Sequence, residues 1–458
     1  MRFTRRSLLL LIPAGAALLA ACASGSPPAS EATPPIVFVH GNGDTAALWT
    51  TTQWRFESNG WPRERLHAVH FPYPLARDDD AKEQPGRSSS TEQREHLAAE
   101  VQRVLKATGA DKVVLIGNSR GGNAIRNYIQ NGGGDRMVSH AILGGTPNHG
   151  VWANPTFRPG NEFNGAGPFL TALNAPKGPD GAEVTPGVRW LTVRSDNNDK
   201  FAQPDGVWIG AKGTPTNVTF DGPALKGAEN VVLPGRDHRE VSYHAEAFAA
   251  AHRFLTGCAP ATLAITPEAR VTLDGQVSGP GPGGPTNLPL PGAKVAVYAV
   301  DPATGARRGA ALIDRTVGAD GRWGPVTVDS GTALEFEVAA PGLATTHVYR
   351  SPFPRSSDLV HLRAERLADA DKDAASVVTL SRPRGYFGLP RDRIVFDGQA
   401  TPPGIPPGVA GVSASKLKLA DAGRPVVADY RSGDIAERIV GVAWPARENR
   451  VVLIELHH

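Results

Sequence analysis

Lys112-Val113-Val114-Leu115-Ile116-Gly117-Asn118-Ser119-Arg120-Gly121-Gly122 decides how the rest of the chain is read. An apolar, β-branched run ends in G-x-S-x-G. A helical pattern follows, with Ala124, Ile125, Tyr128 and Ile129 placed to pack. A buried strand that turns straight into a helix leaves room only for glycine on either side of the serine. Such a turn lifts Ser119 Oγ above a sheet at the N-terminus of the next helix, the arrangement of a nucleophile elbow. A serine hydroxyl is a weak nucleophile until a neighbouring base takes its proton. The rest of the chain must therefore supply a base, an acid that orients it, and donors for an oxyanion.

Upstream, Pro35–Val39 is a continuous apolar run, as expected of a strand buried on both faces. It leads into His40-Gly41-Asn42-Gly43-Asp44, a small-residue loop that lets main-chain N–H groups approach a substrate oxygen. Ala46–Ser58 reads as a helix, Leu66–Phe71 as a strand, and Arg77–Ser90 as a polar loop whose Asp78-Asp79-Asp80 run is a solvated tip. Ser90–Ala107 is an amphipathic helix with Leu97, Val101, Val104 and Leu105 on one face and a Ser90/Gln93 capping box.

Downstream, His140–Leu143, Val188–Val193 and Asn230–Leu233 read as further strands. Val151–Pro186 is a long insertion rich in aromatic and apolar residues, and an insertion of this length between sheet strands is expected to cover substrate. The loop after Val193 carries Asp196, Asp199 and Asp205, each at the carboxyl end of a strand where an orienting carboxylate belongs. His238 follows the last strand, and His244–Thr256 reads as a helix.

The order Ser119, aspartate, His238 is that of the α/β-hydrolase fold. HGNG (40–43), GNSRG (117–121), TPNHG (146–150) and the Asp-Gln-Pro loop together resemble the compact bacterial and archaeal lipase/esterase group over roughly residues 35–256. The resemblance implies an α/β domain with about six mostly parallel strands flanked by helices. It implies oxyanion donors from the main-chain N–H groups of Asn42 and Arg120. It favours Asp199 as the acid, because Asp199-Lys-Phe-Ala-Gln-Pro204 resembles the D-x-V-V-Q-P piece of related lipases; Asp196 is the alternative. His40 and His149 would be structural. The implied activity is serine carboxylic-ester hydrolysis through a Ser119–Asp199–His238 triad and an acyl-enzyme, with no cofactor and no metal. An ester substrate, lipid-like or polymeric, is the implied partner. Alternatives on the same fold are an acyltransferase, a peptidase or a polyester depolymerase, and outside catalysis a surface binding protein with an inactive hydrolase domain.

The ends of the chain complete the plan. Arg2, Arg5 and Arg6 followed by apolar Ser7–Leu19 form a secretory-signal pattern, too short for a comfortable membrane span. Leu19-Ala20-Ala21-Cys22 resembles a bacterial lipobox, and Thr4–Leu9 a twin-arginine export signal. The resemblance implies lipidation at Cys22, anchoring to the membrane through a tether over 23–34, and location at the cell envelope or outside the cell. With 48 basic and 45 acidic residues, no nucleic-acid-binding surface is implied, and two cysteines exclude a disulfide framework or a Cys-based zinc site.

After Gly257 the pattern becomes short alternating strands with Pro/Gly turns. Ala269–Val277, Lys294–Val300, Gly321–Val328 and Leu334–Ala339 are expected strands in a β-sandwich over 258–350 that resembles transthyretin-like or carboxypeptidase-regulatory modules. Residues 351–458 read as a second β-rich domain or a continuation of the first. No polar triad or metal cluster is expected in this half.

Overall fold

The computed structural model describes residues 33–458; residues 1–32, with Cys22 and the signal-like stretch, lie outside them. Six parallel strands, β1 (Ile36–Val39), β2 (Leu66–Ala68), β3 (Val113–Asn118), β4 (Val138–Gly144), β5 (Arg189–Ser195) and β6 (Glu229–Leu233), form one sheet in the order β2-β1-β3-β4-β5-β6. β1 and the body of β3 are continuous apolar runs because both faces are covered, whereas the edge strand β6 (Glu-Asn-Val-Val-Leu) is largely exposed. Val37, Val39, Leu115 and Leu143 point to one face, under α2 (Ser90–Thr108) and α3 (Arg120–Asn131). Ile36, Phe38, Val114 and Ile116 point to the other, packed by α1 (Thr50–Ser58) and the helix Ala245–Thr256. The two-residue alternation of a strand thus splits each run between two cores. Each fully buried Val, Leu, Ile or Phe contributes roughly 1.5–3 kcal/mol, so a polar residue among them needs a reason.

Three local readings shift. The Leu66–Phe71 strand is shorter, Leu66–Ala68, because Phe71 N–H turns away to His40 Nε2 (3.1 Å). The capping box of α2 is Ser89 with Glu92, one residue before the expected pair; Gln93 is buried instead. The aspartate run is not wholly solvated: Asp80 accepts from both the N–H (2.7 Å) and the hydroxyl (2.6 Å) of Ser90.

The C-terminal half is β-rich. Its largest sheet has seven strands, in the order Ile313–Thr316, Lys294–Ala299, Leu334–Ala339, Thr345–Arg350, Arg450–Glu455, Ser376–Ser381, Ala414–Leu419. It draws strands from both sides of residue 350, and the strand Arg450–Glu455 lies parallel to both its neighbours. A three-stranded sheet, Arg393–Phe396, Pro425–Ser432 and Ile435–Val442, packs with it around Phe387, Phe396 and Tyr430. The expected strand over 269–277 is broken into Arg270–Leu273 and Val277–Ser278, with Gly275 pressed against the Val360 carbonyl where no Cβ fits.

This half does hold a polar cluster. Glu335, Glu337 and His347 bring ligand-type atoms within 4.8 Å of one another, because antiparallel pairing sets Glu337 opposite His347. Arg307 already bonds both carboxylates (2.6–2.7 Å), and Trp444 stacks on the imidazole at 4.3 Å. Among the described residues no helix is long and apolar enough to cross a membrane.

Candidate active site

Ser119 sits between β3 and α3 with φ 53° and ψ −123°, a conformation that side-chain-bearing residues rarely adopt. Strain of this kind costs on the order of 1–3 kcal/mol and persists only where the surroundings over-determine it. They do so here. A Cβ on Gly121 would collide with the carbonyl oxygens of Val39 and His40, and one on Gly117 would lie 2.6 Å from Ile125 Cδ1. The helix therefore starts hard against β1, and Ser119 N–H is fixed by Gly144 O at 3.0 Å.

The turn after β6 brings His238 to the loop after β5. His238 Nδ1 lies 2.9 Å from Asp199 Oδ2, and the other oxygen of Asp199 accepts from Phe201 N–H at 2.8 Å. Both residues are buried, and the Phe201 ring meets the imidazole edge-on at 4.6 Å. A carboxylate at Nδ1 favours the tautomer with its proton there, which leaves Nε2 as an acceptor. Nε2 is buried with no hydrogen-bond partner among the described residues, and His238 and Ser119 line the same cavity. Asp196 is elsewhere: its oxygens accept from Asn198 N–H (3.1 Å) and Gly235 N–H (3.0 Å). Asp205 caps the turn at Val207. Asp237, beside His238, faces Arg382.

Asn42 is exposed on the loop after β1 and lines the same cavity, its side chain accepting from Ala76 N–H at 2.7 Å. Arg120 is the first residue of α3, so its N–H has no carbonyl partner within the helix. Arg120 directly follows Ser119 in the chain, and Asn42 shares the cavity lining with it. His40 is spent on the loop itself, with Nδ1 bonded to Gly41 O and Nε2 accepting from Phe71 N–H. Burial lowers its pKa to about 4, so it stays neutral. His149 pairs with Glu183 at 3.1 Å.

The cavity, of about 260 Å³, is walled by Trp152, Phe163, Phe201, Trp208 and Tyr386. Trp152 and Phe163 come from the 151–186 insertion. That insertion is tied down through Glu162, whose carboxylate takes two bonds from the buried guanidinium of Arg120 (2.5 and 2.8 Å). A second cavity, about 440 Å³, opens on the other side of Phe201 and His238 and is lined by Val218, Phe220 and Leu225.

Two contributors escape a reading along the chain. Asn118, fully buried at the end of β3, donates to Gly144 O, His238 O (3.1 Å) and Ser242 Oγ (2.8 Å), so it ties the serine strand to the histidine turn. Its signal was present: it is the one amide in an otherwise apolar strand. Tyr386 arrives from the C-terminal half and carries no local signal.

Residues 33–151 match the family model described as Lipase (class 2), and residues 269–367 match that of the Lipase C-terminal domain. Among solved structures, the chain is similar to Aspergillus fumigatus lipase B (16% identity, 50% of this chain and 54% of that one, TM-score 0.33). It is also similar to Bacillus licheniformis lipase BlEst2 (19%, 49% and 93%, 0.34) and Bacillus subtilis carboxylesterase CesB (15%, 50% and 85%, 0.27).

Proposed function

Proceeding from an α/β-hydrolase of the lipase/esterase kind with a lipase C-terminal domain, we propose that this chain is a serine hydrolase of carboxylic esters, acting on lipid-like or other water-insoluble substrates. The observation that carries the proposal is the buried Asp199–His238 pair, its Nε2 unpartnered, with His238 and Ser119 lining one cavity.

In this reading Nε2 takes the Ser119 proton as Oγ attacks the ester carbonyl. Asp199 holds the Nδ1 proton and stabilises the imidazolium that forms. The N–H groups of Asn42 and Arg120 receive the tetrahedral oxyanion, each donor contributing on the order of 3 kcal/mol to the barrier in comparable sites. The imidazolium then protonates the leaving alcohol, and water repeats the sequence on the acyl-enzyme. The aromatic lining favours apolar acyl or alcohol groups. Lipidation at Cys22 would hold the enzyme at a membrane surface, where such esters concentrate; that residue lies outside the described ones.

Labelling with a fluorophosphonate probe and a chain-length series of p-nitrophenyl esters test this. Wild type is expected to label at Ser119 and to prefer longer acyl chains, and Ser119→Ala to lose both labelling and turnover. Full activity in Ser119→Ala would overturn the assignment. Transfer to an added alcohol in place of hydrolysis would make the chain an acyltransferase.

A further inference from the structure

The C-terminal β region reaches the candidate site at three places. Asn287 Nδ2 donates to the carbonyls of Asp44 (2.9 Å) and Phe71 (3.0 Å), holding the loop that carries Asn42. The loop of the acid is held on both sides of Asp199: Asn198 Oδ1 accepts from Ala410 N–H (3.2 Å), and Lys200 Nζ donates to Gly411 O (2.8 Å).

The histidine turn is gripped hardest. Asp237 and Glu240, one residue before and two after His238, brace it from within: Asp237 Oδ1 accepts from the N–H groups of Arg239 and Glu240, and Glu240 Oε2 from that of Asp237. The β region adds further bonds to the same carboxylates. Asp237 Oδ2 accepts from Arg382 Nη1 (2.9 Å) and Tyr386 N–H (2.8 Å), and Glu240 pairs with Arg382 and with Arg391 (2.7 Å). Arg382, Asp237 and Glu240 are all at most 1% exposed. The turn cannot move without separating buried charges, which strongly resists its displacement.

We propose that the segment 382–391 is a strap that positions His238 against Asp199, with Arg382 and Arg391 as its positioning residues and Tyr386 as the substrate-contacting wall it delivers to the cavity. The proposal rests on the ester-hydrolase reading above. Its physical basis is that general-base catalysis needs Nε2 within hydrogen-bond reach of the hydroxyl. Burial pushes both carboxyls up and raises Asp237 beside Glu240, while Arg382 and Arg391 hold Glu240 below the usual carboxylate range. Tyr386 lies under Lys200 Nζ (3.8 Å) and the Arg239 guanidinium (4.5 Å), which fixes its ring where it lines the cavity.

The test compares Arg391→Gln, Arg391→Lys, Arg382→Lys and Tyr386→Ala with wild type. It measures kcat and KM on p-nitrophenyl butyrate, thermal stability, and the far-downfield imidazole N–H proton resonance that a His–carboxylate bond produces. Arg391→Gln is expected to lower kcat by about 100-fold, the scale set by small misplacements of a catalytic group, with KM little changed and the downfield resonance broadened or lost. Arg391→Lys should recover part of kcat. Tyr386→Ala should instead raise KM and alter chain-length preference. Folded Arg391→Gln with wild-type kcat and an intact resonance would overturn the strap, even with wild type fully active. Should Arg382→Lys not fold, the half-exposed Arg391 series decides alone. An inert, unlabelled wild type would instead remove the ester-hydrolase reading.

Discussion

Asp199 and Asp196 differ in what their carboxylates already hold. Asp196 spends both oxygens on main-chain N–H groups of its own turn and of Gly235. Asp199 spends one on Phe201 N–H and offers the other to His238 Nδ1. An amide at the second position would present a donor to Nδ1 and favour the wrong tautomer, so Asp199→Asn is expected to lower kcat by about 10⁴-fold. Asp196→Asn should cost about 1 kcal/mol of stability and leave kcat near wild type. Steady-state kinetics and thermal denaturation of the two variants check this; the reverse pattern would move the acid to Asp196.

Among the elements, the 151–186 insertion is joined to the helix after Ser119 by a buried ion pair. Arg120 and Glu162 side chains are 1% and 2% exposed, whereas Arg103 and Glu100 form a pair on the outer face of α2 at 56% and 27%. Breaking a buried pair by removing one charge leaves the other uncompensated and costs about 3–5 kcal/mol; an exposed pair is worth less than about 1. Glu162→Gln is therefore expected to lower the melting temperature well beyond Glu100→Gln, and to blunt activity by loosening Trp152 and Phe163. Equal melting temperatures would mean that Arg120 does not anchor the insertion.

For the whole molecule, the junction between the two halves is rich in buried or half-buried neutral imidazoles. Burial lowers His40 and His244 to about 4, and His70 and His458 to about 3. In the unfolded chain each takes a proton near pH 6.5, while in the folded chain it stays neutral until the pH is far lower. The unfolded state thus binds more protons in that window, and stability is full above pH 6.5 and falls as pH drops toward 4. At pH 5 the loss is about 2 kcal/mol for each of His40 and His244. Thermal unfolding at pH 7 and pH 5 should differ accordingly; a melting temperature unchanged between them would show that these imidazoles are not held neutral.

The sheet was legible from residues close in sequence, because a strand buried on both faces leaves a continuous apolar run and a serine elbow demands glycines at fixed offsets. His238 and the aspartate loop were legible for the same reason: each follows directly on a strand. The Gln-Pro piece after Asp199 already favoured it over Asp196, whereas the bonds of Asn118 and the grip of the β region came only with folding. Arg382 meets Asp237 across 145 residues, and Asn287 meets Asp44 across 243. No local periodicity records such a pairing, because it joins residues far apart in sequence that meet only in the folded chain. The motifs single out Ser119, Asp199 and His238 within the first half; only the tertiary structure brings Arg382 and Tyr386 of the second half against the turn that carries His238.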